Sequence, residues 1–156
     1  MGSRRQAREC ALQALYQCDS LSDWSNECLE LYFSVFHPEI EPLPLLGLGE
    51  QDHQPQPELA KQDSFARVLV HGVVEHIASI DGAIGAASRN WSVARMSRVD
   101  RNIIRLATFE IHYLTDVPPN VSINEAIEIA KRFGTDDSPM FVNGVLDKIS
   151  SDFRRS

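Results

Sequence analysis

Cysteine is scarce in this chain of 156 residues: Cys10, Cys18 and Cys28 are the only three, and no two of them form a Cys-x-x-Cys pair. An odd count without that spacing argues against a disulfide framework and against a thiolate zinc site. Cys10 and Cys18 have apolar neighbours and read as buried thiols. Long apolar runs are missing too. None approaches the roughly 20 residues that span a bilayer. The opening MGSRRQARECALQALYQC has neither a long apolar core nor a small-residue cleavage site, so no secretory signal is read and a cytoplasmic location is expected. Motifs that carry chemistry are lacking as well. Gly47-x-Gly49 has no third glycine and follows no strand. There is no P-loop, no nucleophile elbow and no His-Glu-x-x-His. His71 and His76 are five residues apart, which does not put two ligands on one helical face. The expectation is therefore no enzyme, no metal site and no cofactor.

Net basic charge, the usual mark of a nucleic-acid binder, is also absent: the chain carries −7. Its distribution matters more than its sum. Residues 1–18 hold Arg4, Arg5 and Arg8 against Glu9, residues 19–63 hold ten acids against Lys61, and residues 64–156 balance. The acidic excess lies in one segment, so the flanks remain able to present a basic face. Arginines 89, 95, 98, 101 and 105 stand together against Asp100.

What is present is helical periodicity. No segment alternates with period two as strands do. A first helix is predicted over about Arg4–Gln17, capped by Ser3 and Gln6, with Ala7, Cys10, Ala11, Ala14, Leu15 and Cys18 inward. A second covers about Asn26–Phe36. Residues 37–58 hold five of the eight prolines and read as a long loop. A long helix over about Ser64–Ser88 follows, with Phe65, Val68, Leu69, Val73, Ile77, Ile80, Ile84 and Ala87 as its stripe; it is expected to be the central mast. Gly72 marks close helix packing there. Ser97 caps a helix over about Arg98–Leu114. Ser122 and Glu125 have capping-box spacing ahead of the next helix, and Gly134 ends it in a left-handed conformation. Ser138-Pro139 opens the last helix, with Val142, Val145, Leu146, Ile149 and Phe153 inward. Asn143 and Gly144 are read as structural, packed on a neighbour. The expected fold is all-α, a compact bundle of six to seven helices forming a single domain over 1–156.

Two stretches carry a family resemblance. RRQARECALQALYQ (Arg4–Gln17) is an arginine-rich helix with Arg-Glu before its apolar run. DVPPNVSINEAIEIAKRFGTDDSPMFVNGVLDKI (Asp116–Ile149) holds an Asn-Glu-Ala-Ile core, a Lys-x-Phe-Gly stop and Phe-Val-Asn-Gly-Val-Leu-Asp-Lys. Both resemble the NusB family of transcription antitermination factors, and DRNIIRLATFEIHYL fits as well. Residues 19–63 show little match. The 37–58 segment is longer than the family usually has, and Ser138-Pro-Met140 puts no basic residue beside Phe141.

The resemblance implies an all-helical, non-catalytic RNA binder. It would hold single-stranded boxA RNA of ribosomal RNA leaders jointly with NusE, a small-subunit ribosomal protein, within an RNA polymerase antitermination complex. By matching position, Arg4, Arg5 and Arg8 would grip phosphates, with Asp137 and Phe141 on the same surface. Tyr16, Asp100 and Arg105 match positions facing the protein partner. Relatives that dimerise raise a homodimer as a further state. Two other readings stand beside this one: the NusB-like RNA-recognition domain of a ribosomal RNA cytosine methyltransferase, and a helical protein-interaction module. By residue type alone, the three N-terminal arginines are a solvated end, and the 89–105 arginines a polar helix face. Periodicity leaves Phe141 two readings, at the edge of the core or exposed for base stacking.

Overall fold

In the computed structural model, residues 2–35 and 57–155 are described. They form α1 (Gly2–Leu21), α2 (Asn26–Val35), α3 (Pro57–Glu75), α4 (Ile77–Ala87), α5 (Arg98–Tyr113), α6 (Pro119–Phe133) and α7 (Ser138–Arg155), with a short 3-10 turn at Val93–Arg95 before α5. No strand occurs among the described residues. Most of the predicted loop, with Leu43, Leu45, Leu46 and Leu48, lies outside them. Its end does not: Pro57 and Glu58 begin α3, a position where proline costs no hydrogen bond.

The centre of the bundle is α5. Every residue from Asn102 to Ile111 is buried, and α1, α3, α4, α6 and α7 all pack on it. The expected mast over 64–88 is instead two helices, bent by 77° at His76. His76 leaves helical geometry at φ −110° and ψ 19°. The backbone ladder still closes across the corner, because His76 N–H donates to Gly72 and Ile80 N–H to His76. The bend lets Leu69 and Val73 of α3 and Ile80 and Ile84 of α4 all enter one core, so α3 lies on α1 and α5 while α4 reaches α5 and α7. The His76 ring then stacks on Tyr113, centroids 4.1 Å apart. Val68, placed on the inward stripe by sequence, is half exposed, and Val70 is buried in its stead.

Several end signals resolve differently from their sequence reading. Helix α1 starts at Gly2, so Ser3 lies inside it. Helix α6 starts at Pro119, so Ser122 and Glu125 do not cap it and bond to other helices. Ser97 does cap α5, accepting from the Asp100 N–H. Gly134 is extended, not left-handed, at φ −94° and ψ −167°. Its glycine is required by crowding, since a Cβ would collide with the Ser138 side chain. Gly72 is required by packing as expected, because a Cβ there would enter the Phe109 ring. Gly144 is not: among the described residues, nothing outside its own helix lies within 4 Å of where its Cβ would be, and both it and Asn143 are exposed. Phe153 also stands outside the core, exposed and stacked on His112 at 4.7 Å.

Among the described residues, no single helix is long and apolar enough to cross a membrane.

Candidate nucleic-acid interface

Helix α1 is docked by its arginines, each in a different way. Arg8 is 4% exposed. Its Nε and Nη2 grip the Glu110 carboxylate at 2.6–3.1 Å, and Ser122 Oγ donates to the same carboxylate at 3.2 Å. A cavity of only about 10 Å3 adjoins them. This corrects the reading of Arg8 as a phosphate ligand. Its guanidinium is consumed inside the protein, joining α1 to α5 and α6, because a buried carboxylate requires a partner of this kind.

Arg5 faces outward. It makes a fork-to-fork pair with Glu125 of α6 at 2.8 and 3.0 Å. Hydrogen bonds from Arg5 and its charge hold the Glu125 carboxyl below its ordinary range, against the opposing effect of burial. Arg4 is exposed, and its guanidinium lies 4.9 Å from the Phe65 ring centre.

One turn beyond Arg5, Glu9 accepts two bonds from Arg132 Nη1, each 2.9 Å. Arg132 is largely exposed and lies over the Phe133 ring. This pair fastens the exposed side of α1 to the C-terminal end of α6, from which the chain turns directly into α7. Asp137 is exposed at that turn, and Phe141 is half-buried against the core, between its two sequence readings. Sequence reading passed over Lys131 and Arg132. The Lys-Arg pair had been seen only as part of a helix stop, although basic residues in a last turn are also where a cationic surface shows itself.

A second cluster lies at the other end of α1. Asp19 accepts from Arg101 at 2.7 and 2.9 Å, from Asn102 at 2.9 Å and from Arg105 at 3.4 Å. Burial alone would raise the Asp19 carboxyl; the bonds from Arg101 and Asn102 and the two guanidinium charges outweigh it and hold the group low. Arg105 also grips Asp81 through two bonds of 2.8 Å and lies over Trp24. It is 6% exposed. The expectation that Arg105 faces a partner is therefore corrected: it knits α1, α4 and α5 from inside. Arg101 joins α5 to α1 and to the carbonyls of the Val93–Arg95 turn, while Arg89, Arg95 and Arg98 remain exposed. Tyr16 is exposed one turn before Asp19, and Asp100 precedes Arg101. Among the described residues, the buried Asp100 Oδ1 atom has no hydrogen-bond partner.

The arginine-rich helix thus presents one outward ridge, with Arg4, Arg5 and Tyr16 along it. The basic end of α6 is held alongside its N-terminal half by the Arg5–Glu125 and Glu9–Arg132 pairs, and the first turn of α7 follows it in the chain. Such a surface offers guanidinium donors for phosphate and one aromatic edge for a base.

Comparison with known proteins adds to this geometry. The family model for the NusB family matches residues 5–151. The transcription antitermination protein NusB of Geotalea uraniireducens is 48% identical over 151 residues, which cover 97% of this chain and 96% of that protein. Its counterpart in Geobacter sulfurreducens is 46% identical with the same coverage. Among solved structures, Thermotoga maritima NusB is 36% identical with a TM-score of 0.72, covering 96% of this chain and 91% of its own. A chain from a complex of antitermination factors NusB and NusE with double-stranded RNA shares the fold at a TM-score of 0.74 and 24% identity, covering 97% of this chain and 98% of its own.

Proposed function

The chain belongs to the NusB family, and from that premise we propose that it is a transcription antitermination factor that holds single-stranded boxA RNA jointly with NusE. The role is binding, without a catalytic step, and its setting is the RNA polymerase antitermination complex in the cytoplasm. The observation that carries the RNA reading is the Glu9–Arg132 pair. It fastens the exposed side of α1 to the basic end of α6, from which the chain turns into α7.

On that surface Arg4 and Arg5 contact phosphates, Asp137 accepts from a base amino group and Phe141 offers its ring edge. Arg5 is available in spite of Glu125, because an exposed ion pair contributes little and a phosphate matches the same guanidinium fork. Tyr16 and Asp100 form the surface for NusE. Both lie near the Asp19 cluster, Tyr16 one turn before Asp19 and Asp100 beside Arg101. The NusE assignment is also supported by a fold neighbour having been solved with NusE and RNA. A methyltransferase domain or a bare interaction module gains less support, because the antitermination relatives match over 96% of their own length.

The test is a titration of boxA RNA and a scrambled RNA at several salt concentrations. Replacing Arg4 and Arg5 together with alanine is expected to flatten the slope of log affinity against log salt by about 1.4, since each single-strand phosphate contact contributes about 0.7. The ratio between boxA and scrambled RNA should survive, because phosphate contacts position without specifying. An unchanged slope places the RNA elsewhere.

A further inference from the structure

The opposite end of the α6–α7 pair carries a feature that this reading does not use. Asn120, in the first turn of α6, and Asp147, Ser150, Ser151 and Arg154 of α7 line a polar cavity of about 380 Å3. That volume lies within the range of ligand sites, roughly 300–1,000 Å3. Among the described residues, none of these five side chains has a hydrogen-bond or ion-pair partner.

Ser150 is the decisive member. It is 4% exposed. A helix serine this deep ordinarily returns its hydroxyl to the carbonyl four residues back, as Ser88 does to Ile84 at 2.7 Å. Ser150 makes no such bond, and the space it opens onto is the cavity. Its hydroxyl is open to that space and is not returned to the helix, which leaves it available to a ligand held there. The start of α6 adds a second donor. Pro119 has no N–H, and the N–H groups of Val121 and Ser122 return to the Pro118 carbonyl. The backbone N–H of Asn120 is left over, as at any helix start.

The charges narrow the ligand. Arg154 and the start of α6 favour an anion, while Asp147 opposes a bare one and favours a hydroxyl donor beside it. A sugar–phosphate unit of RNA carries both: the phosphate meets Arg154, Ser150, Ser151 and the α6 start, and the ribose 2′-hydroxyl donates to Asp147. Deoxyribose lacks that donor.

The cavity is also continuous with the proposed RNA surface. Asp137, Met140, Gly144 and Lys148 are exposed at steps of three and four, so they form one strip along α7 leading to Ser151 and Arg154. Among the described residues, no atom outside the helix backbone approaches the Gly144 Cβ position, which leaves that strip open midway. From Phe141 to Arg154 it is about 20 Å long.

We propose that this cavity is a ribonucleotide subsite that holds RNA continuing along α7 beyond the boxA element. The inference rests on the proposed RNA surface. Its test compares the bare element with the element extended by a few nucleotides at the 5′ or at the 3′ end. One extension, not both, should tighten binding about tenfold, as charge-assisted hydrogen bonds allow, and steepen the salt slope by about 0.7. Ser150→Ala and Arg154→Ala should each remove most of that gain and leave affinity for the bare element unchanged. Asp147→Ala should keep the gain but lose the preference for a ribose over a deoxyribose extension. If the gain persists in full in Ser150→Ala and Arg154→Ala, or if neither extension adds affinity, the subsite is wrong while the proposed function stands. If the protein as it exists fails to bind the bare element, both are overturned together.

Discussion

At the scale of single residues, arginine has three uses here that composition cannot separate. Arg8 is structural, Arg5 is shared with Glu125, and Arg4 lies over a ring. Arg8→Ala is expected to destabilise the fold by about 3–5 kcal/mol, because it strands Glu110 in the core; denaturant unfolding checks this. The double change Arg8→Met with Glu110→Leu should recover most of the loss, since removing both charges removes the desolvation cost as well. Any RNA defect of Arg8→Ala would then follow from misfolding. Phe141→Ala should cost about 1–2 kcal/mol of stability, as its half-burial implies, together with a larger proportional loss of RNA affinity. Losses in strict proportion would make it core alone. His112 adds a pH dependence. Burial lowers its pKa in the folded state, so its contribution is fully present above the unfolded value of about 6.5. That contribution fades as pH falls through the lower folded value. His112→Gln should flatten the fall in melting temperature below pH 6.5.

At the scale of elements, the corner at His76 and the burial of α5 decide the architecture. The α3–α4 stripe keeps helical steps straight through the corner, because 73, 77 and 80 are four and three apart whether the helix is straight or bent. Only the docking of Gly72 against Phe109 shows where the chain turns. Gly72→Ala should destabilise by about 1–3 kcal/mol from overpacking, despite the better helix propensity of alanine. Gly144→Ala should be neutral or mildly stabilising, and the two compared by thermal unfolding separate packing from propensity. The α1–α2 connection has its own buried contact, with the Cys18 and Cys28 sulfurs 3.1 Å apart. Burial, followed by the bond to Cys28, raises the Cys18 thiol to about 12, which keeps it protonated and slow as a nucleophile at neutral pH.

At the scale of the molecule, the net charge of −7 disfavours indiscriminate nucleic-acid binding, so specific contacts must carry affinity against that background. With only Arg4 and Arg5 on phosphates, raising salt from 50 to 200 mM should weaken RNA binding about sevenfold. A much steeper loss would reveal further contacts, with Lys131 and Arg132 the first candidates.

Much of this was legible from residue order alone. Local signals determined the all-α class, the final helix opened by Ser138-Pro139, the Ser97 cap and the Gly72 contact, because capping and periodicity act within a few residues. The family was legible in the Asn-Glu-Ala-Ile and Phe-Val-Asn-Gly stretches for the same reason. The tertiary structure alone decided which helix is central. Helix α5 carries arginine, asparagine, threonine and glutamate, which reads as a half-exposed face until Asp19, Asp81 and Arg8 arrive from 24 to 102 residues away to satisfy most of them. It also decided which arginines are free. A guanidinium's partner is set by what the fold brings near it, so three arginines on one helix came to have one buried anchor, one shared pair and one exposed cation.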